Sequence, residues 1–119
     1  MKSIAFVFSQ APYGDNRGDE GVDLVISTSL VMSNIGIFFI GDGVFQLVLN
    51  QHPKKILFRD YLSSLLLLSE YEIKTIYCCI KSLEDRGLSI KDKFLLQLQF
   101  LNISDIKSCI GIYDVIIHV

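Results

Sequence analysis

The decapeptide FFIGDGVFQL at residues 38–47 decides the fold class of this chain. Its first three residues continue an apolar run from Ile37, which is typical of a buried strand, and the Gly-Asp-Gly triplet at 41–43 then indicates a turn. Val44 begins a short helix or loop. Strands that pass through a tight turn into helical structure are the repeating unit of α/β proteins. The stretch therefore predicts one such unit at the carboxyl end of a buried strand.

The same pattern recurs on both sides of this stretch. The predicted strands are residues 4–8, 37–40, 73–78, 94–100 and 113–119. The predicted helices start near Gly18, cover 57–71, cover 80–86 with Gly87 as the C-cap, and run from an Asn102 or Ser104 cap through Cys109. Strands alternating with helices at this spacing form parallel βαβ units. We therefore expect a three-layer α/β/α sandwich with a mostly parallel sheet of about five strands, in a single domain over residues 1–119.

The first helix has an apolar face that should pack on this sheet. Its acidic first turn suits the positive end of the helix dipole. The residues expected to face inward are Val22, Val25, Ile26, Ser29 and Leu30. The helix over residues 57–71 is expected to bury Leu62, Leu65, Leu66 and Ser69 in the same way.

The composition limits the possible function classes. Of the 119 residues, 50% are apolar and 20% are charged, a small charged fraction for a soluble monomer. Apolar residues that do not fit into a small core remain on the surface and mark interaction sites, so we expect a partner surface. A sheet that is buried on both faces is the alternative explanation, because it also requires many apolar residues. The net charge of −2 and the scattered basic residues argue against a nucleic-acid footprint. No direct nucleic-acid contact is expected.

The chain is interpreted as cytoplasmic, without a membrane partner. Residues 24–41 are uncharged and as long as a membrane span, but Ser27, Thr28 and Asn34 are among the polar residues that interrupt them. The first residues lack the length and the cleavage site of a signal peptide. Three cysteines, two of them adjacent, do not form a disulfide framework, which indicates a reducing compartment.

Three predicted loops lie at carboxyl ends of strands, where open parallel sheets bind ligands. They cover residues 9–18, 41–43 and 78–81. The first carries neither a dinucleotide fingerprint nor a P-loop pattern, and the carboxylates of Asp19 and Glu20 would repel a phosphate from the helix N-terminus. Nucleotide binding is disfavoured, and no cofactor is expected.

Asp42 and the two histidines have structural explanations. An Asp between two glycines is most often a turn-former that bonds local backbone, with an acid or base role as the alternative. His52 and His118 are far apart, and no Cys or His pair has the spacing of zinc ligands. No metal is expected.

Cys79 is the candidate catalytic residue. It lies where a strand gives way to a helix, so backbone N–H groups, the helix dipole and the nearby Lys81 would favour its thiolate. Thiol exchange needs such an accessible, stabilised sulfur. Cysteine is also among the most often buried residue types, so inert packing is the favoured interpretation and a reactive thiol is the alternative. Cys78 is expected in the core, and Cys109 in helix packing.

Further motifs carry a family resemblance, and they keep their order and spacing from end to end. Beside the opening decapeptide, they are residues 4–9, Ala11-Pro12, Gly14, 20–23, Thr28-Ser29, Arg59-Asp60-Tyr61, 79–87 and 113–116. With them the chain resembles the TusC/DsrF family, whose members are small cytoplasmic bacterial subunits of a sulfur relay. In the sister chains that resemble TusD, the carrier cysteine stands eight residues before a matching glycine. Cys79 and Gly87 keep that spacing.

The resemblance implies a DsrE/DsrF-like fold and a role in 2-thiolation of the tRNA wobble uridine (5-methylaminomethyl-2-thiouridine). It implies sister subunits that resemble TusB and TusD, assembled as a heterohexamer of two trimers. In this family the TusD-like subunit carries the sulfur, so this chain is expected to be a scaffold that is non-catalytic on its own. Two alternatives stay open: a persulfide sulfurtransferase that uses Cys79, and a DsrF-like subunit of dissimilatory sulfur metabolism.

Overall fold

The sheet is parallel throughout the part of the chain that the structure describes. The computed structural model describes residues 3–9, 17–31, 34–47, 76–91 and 98–119. Its strands are β1 (Ile4–Phe8), β2 (Ile35–Phe39), β3 (Ile76–Cys79), β4 (Gln99–Leu101) and β5 (Val115–His118). They form one five-stranded sheet in the order β4-β3-β2-β1-β5, and every pairing is parallel. The predicted α/β class and five-strand parallel sheet are confirmed.

The strand order explains why helices cover both faces of the sheet. Strands β1 to β4 advance in one direction, and the chain then returns to place β5 on the other side of β1. Because crossovers between parallel strands are right-handed, the direction of the step decides which face a helix covers. The described helices are α1 (Arg17–Ser29), a 3-10 helix (Gly41–Leu47), α2 (Ile80–Asp85) and α3 (Ile103–Gly111).

Alternate strand residues divide the core into two clusters. One cluster, here called the α2 face, joins the sheet to α1, the 3-10 helix and α2. Its fully buried side chains include Phe6, Phe8, Val25, Ile37, Phe39, Val44, Leu47, Cys78 and Leu83. The second cluster, here called the α3 face, joins the sheet to α3. Its buried residues are Ala5, Val7, Phe38, Cys79 and Ile106. The period-two alternation of strand side chains produces this division.

The first helix departs from its predicted inward face at one end. Val25 is fully buried and Ile26 packs against the same cluster, as expected. Leu30 was expected inside but is 69% exposed, because the helix ends at Ser29 and Leu30 follows in the turn. The side chain of Val22 and the predicted helix over 57–71 lie outside the described residues.

Boundaries of the later elements also differ from the predictions. β3 continues one residue beyond the predicted end, to Cys79. Helix α3 begins after Asn102, whose side chain accepts a 2.8 Å hydrogen bond from the Asp105 amide, so the predicted Asn102 cap is confirmed.

At the other end of the sheet, Asp114 accepts a 2.9 Å bond from the Ser3 amide and donates its own amide to Ser3 Oγ at 3.0 Å. These two bonds hold the start of β5 beside β1.

Candidate functional site at the carboxyl edge of the sheet

The turn after β2 packs closely on its neighbours. Gly41 has φ of 52°, a left-handed conformation that glycine adopts without a steric penalty. The Gly41 amide donates a 2.9 Å hydrogen bond to Ser82 Oγ in α2. Gly43 is buried, and a Cβ added there would overlap the main-chain carbonyl of Phe8. Gly41 is therefore needed for its left-handed conformation, and Gly43 is needed because there is no room for a side chain.

An ion pair connects the same turn to the end of α2. Arg86 Nε lies 2.9 Å from Asp42 Oδ1, and a terminal nitrogen of Arg86 donates to the Ser82 carbonyl at 3.0 Å. We call Gly41, Asp42, Ser82 and Arg86 the edge clamp. The prediction that Asp42 is structural agrees with this geometry, but the partner of its carboxylate is a side chain 44 residues away, where local backbone was expected.

Helix α2 ends in a Schellman motif. The Gly87 amide donates to the Glu84 carbonyl at 3.1 Å, and the Leu88 amide donates to the Leu83 carbonyl at 2.9 Å. Gly87 has φ of 73°, the left-handed conformation that this motif requires. The predicted C-cap is confirmed. Since Arg86 immediately precedes Gly87, the motif also orients the arginine towards the turn after β2.

Cys79 lies at the predicted junction of strand and helix, but in a different environment. It is the N-cap residue of α2 and makes no side-chain capping bond. Its side chain is 2% exposed and belongs to the buried cluster of the α3 face. Lys81 was expected to favour the thiolate. Instead its ammonium lies 3.0 Å from Asp85 Oδ1, and the hydrogen bond to Asp85 raises the pKa of Lys81.

The other two cysteines lie where the sequence placed them. Cys78 is fully buried in the cluster of the α2 face, which confirms the core prediction. Burial, followed by the neighbouring Cys79, raises the pKa of the Cys78 thiol to about 12, so this sulfur is a poor nucleophile at neutral pH. Cys109 is half-buried in α3 and packs against the α3 face, which confirms helix packing.

The carboxyl edge therefore combines features that the sequence did and did not reveal. It brings together the predicted Asp42 turn and the predicted α2 junction. Sequence reasoning missed Ser82 and Arg86, because a contact across 41 or 44 positions has no local signature. Within the described ranges, no group of three His, Cys, Asp or Glu residues is placed to hold a metal ion. His118 is exposed at the end of β5, and His52 lies outside those ranges.

Among the helices described, none is long and apolar enough to cross a membrane.

Comparisons with known proteins agree along the whole chain. Residues 2–119 match the model of the DsrE/DsrF-like family. Protein TusC of Buchnera aphidicola subsp. Acyrthosiphon pisum (strain 5A) is 48% identical over 118 residues, which cover 99% of each chain. Protein TusC of Buchnera aphidicola subsp. Baizongia pistaciae is 44% identical over the same length, again covering 99% of each chain.

A solved structure has the same fold. The ychN protein from E. coli superposes with a TM-score of 0.80 and covers 100% of both chains, at 19% sequence identity. At that identity the similarity concerns the fold alone.

Proposed function

Because the chain belongs to the DsrE/DsrF-like family, we propose that it is a TusC-like scaffolding subunit of a cytoplasmic sulfur relay. In this proposal the relay serves 2-thiolation of the wobble uridine in tRNA. The sister subunits resemble TusB and TusD, and the TusD-like chain carries the sulfur. The observation that carries the proposal is the 48% identity to a protein named TusC over 99% of both chains.

The surface of the described residues supports a subunit role. Its exposed large hydrophobic side chains are Leu24, Leu30, Val31, Ile90, Ile103, Ile112, Val115 and Ile116. Ile112 and Val31 are the most exposed, at 78% and 82%. Apolar side chains that stay this exposed are available for contact with another subunit. An assembly would remove this area from water.

The environment of Cys79 favours scaffolding over catalysis. An attacking thiolate must reach the sulfur of its donor, and the Cys79 side chain is 2% exposed. The nearby ammonium of Lys81 is paired with Asp85 and is not committed to the thiol. The edge clamp, with its arginine and carboxylate already paired to each other, holds the turn and α2 together.

A second candidate function uses Cys79 as a persulfide carrier. It is favoured by the position of Cys79 at the N-cap of α2, at the carboxyl end of β3, where parallel sheets place reactive groups. The Cys79 thiolate would attack the outer sulfur of a donor protein persulfide. A new sulfur–sulfur bond would form, the donor bond would break, and the donor cysteine would leave as a thiolate. Such an exchange needs no oxidant.

Complementation of a gene deletion distinguishes the two candidates. Cells that lack this gene would receive the native chain, Cys79→Ala, or Cys109→Ala as a control at a half-buried thiol. We expect all three to restore the 2-thiouridine content of tRNA, measured by mass spectrometry of digested nucleosides. Loss of rescue by Cys79→Ala alone, at normal protein level, would support the carrier function instead.

The same cells test the assembly. Affinity purification of the native chain should recover the TusB-like and TusD-like subunits in fixed stoichiometry. If deletion leaves tRNA thiolation intact, the tRNA assignment is wrong. If the chain then co-purifies with a sulfite reductase, it belongs to the dissimilatory branch.

A further inference from the structure

Helix α3 packs on the face of the sheet that buries the thiol of Cys79. In the register of the sheet, Cys79 lies beside Leu101, the last residue of β4. Asn102 and the first turn of α3 follow Leu101 directly. From there the chain crosses the α3 face to reach β5, and Ile106 and Cys79 belong to the same buried cluster. Helix α3 therefore begins beside Cys79 and contributes to the same buried cluster.

Among the described residues, few interactions hold this helix to the sheet. Ile106 is its only buried residue; Cys109 and Ile110 are half-buried, and Ile103 is 48% exposed. One side-chain bond, from the Asp105 amide to Asn102, satisfies its start. Segments with few buried apolar contacts open locally at a lower free energy than the core. Helix α3 has the properties of such a segment.

We propose that α3 is a lid whose local opening controls access to the Cys79 thiol. The biological meaning of this lid rests on the second candidate function, in which Cys79 receives sulfur. The opening itself is a property of the fold and needs no sulfur chemistry. A protein that bound the α3 side and held the lid open would give a donor persulfide access to Cys79, whereas the closed chain alone would not react.

Thiol labelling of the purified chain tests the lid directly. N-ethylmaleimide would be used at concentrations where each labelling rate is proportional to reagent, so that the rate reports the opening equilibrium. Tandem mass spectrometry would assign the label to each cysteine. Cys78 is an internal control, because it lies on the same strand but belongs to the opposite face.

The expected effects follow from how each variant changes α3. Asn102→Ala removes the cap and should speed Cys79 labelling about fivefold, whereas Asn102→Asp keeps a capping oxygen and should change it little. Ile106→Val should also speed it about fivefold. Gly111→Ala favours the helix, meets no neighbour within 4 Å, and should slow labelling about twofold.

A control on the α2 face separates local from global opening. Val25→Ala lowers overall stability by removing two methyl groups from a fully buried residue of α1. We expect it to speed labelling of Cys78 and to leave the Cys79 rate unchanged. Equal acceleration of both thiols in Asn102→Ala, or no change of Cys79 in that variant and in Ile106→Val, would overturn the lid. Neither result would bear on the scaffolding role, which complementation tests separately.

Discussion

The α2 face and the α3 face of the same sheet are built in different ways. On the α2 face, eleven of the described residues form the buried cluster, the edge clamp adds polar bonds, and Gly43 approaches the Phe8 main chain. On the α3 face, five described residues form the cluster, and the close approach at Gly36 is to the Tyr113 side chain. The close approach of a glycine is to main chain on one face and to a side chain on the other.

The difference matters because a side chain can change its conformation to relieve an overlap, whereas main chain cannot move without disturbing its neighbours. Adjacent residues of β3 experience both situations: Cys78 lies in the α2 face and Cys79 in the α3 face. The two buried cysteines of β3 therefore have different surroundings. Cys78 belongs to the larger cluster, whereas Cys79 belongs to the smaller one, to which the nine-residue helix α3 contributes a single buried side chain.

The largest expected contrast is between two glycines. In Gly43→Ala, the new Cβ would overlap the Phe8 carbonyl, and because backbone must shift, we expect a loss of about 3 kcal/mol or more in the free energy of unfolding. In Gly36→Ala, the overlap is with the Tyr113 ring, and we expect about half that loss because the ring can move. Urea unfolding of both variants measures this. Equal losses would contradict the division between main chain and side chains.

The next contrast concerns pH and Cys78. Burial raises the pKa of this thiol to about 12 from 9.0, so in that window the unfolded chain has lost the proton that the folded chain keeps. The protonated Cys78 thiol therefore makes its full contribution to the free energy of unfolding below pH 9.0. That contribution falls by about 1.4 kcal/mol per pH unit as the pH rises from 9.0 towards about 12.

The measurement is urea unfolding of the native chain and Cys78→Ala between neutral pH and pH 10.5. We expect the native chain to lose about 2 kcal/mol more than the variant over that range. Tyrosine and lysine titrations are common to both proteins and cancel in the difference. Parallel pH profiles for the two proteins would show that Cys78 is not desolvated in solution.

The smallest expected effects concern two ion pairs, one in the edge clamp and one within α2. Arg86→Met removes an ion pair that is partly shielded, since the Arg86 side chain is 25% exposed, together with the bond to the Ser82 carbonyl. We expect a loss of about 1 kcal/mol. Lys81→Met removes an exposed pair within one helix and should cost less than about 0.5 kcal/mol.

Thermal unfolding at low and high salt compares these two variants. The Lys81 pair should lose its contribution at high salt, while the Arg86 contribution should largely remain because part of it is a bond to main chain. If Lys81→Met is the more damaging change, the clamp does not stabilise the turn.

Local features of the sequence predicted much of the molecule. Asn102 and Gly87 were recognised as caps because the physics of a helix end involves only neighbouring residues. The apolar runs predicted the strands, and the spacing between them predicted a parallel sheet. Strand ends were less accurate: β3 extends to Cys79, since pairing with Leu101 in β4 adds a partner that no local pattern reveals.

The candidate site was predicted only in part. The sequence located Asp42 and Cys79 at the carboxyl edge of the sheet, because the position of a residue relative to a strand end is a local property. It did not predict Arg86 as the partner of Asp42. Nor did it predict that Lys81, which was expected to favour the Cys79 thiolate, pairs with Asp85. Both depend on which side chains approach after folding.

The sequence alone determined the fold class, the helix caps and the family, since each depends on residue types at short or fixed spacing. Only the tertiary structure decided which face of the sheet each cysteine enters and what covers it. Strand alternation sends Cys78 and Cys79 to opposite faces once the strand is placed, but the crossover from β4 to β5 decides that α3 packs on the face that Cys79 enters. That crossover is set by strand order, which is a property of the whole sheet.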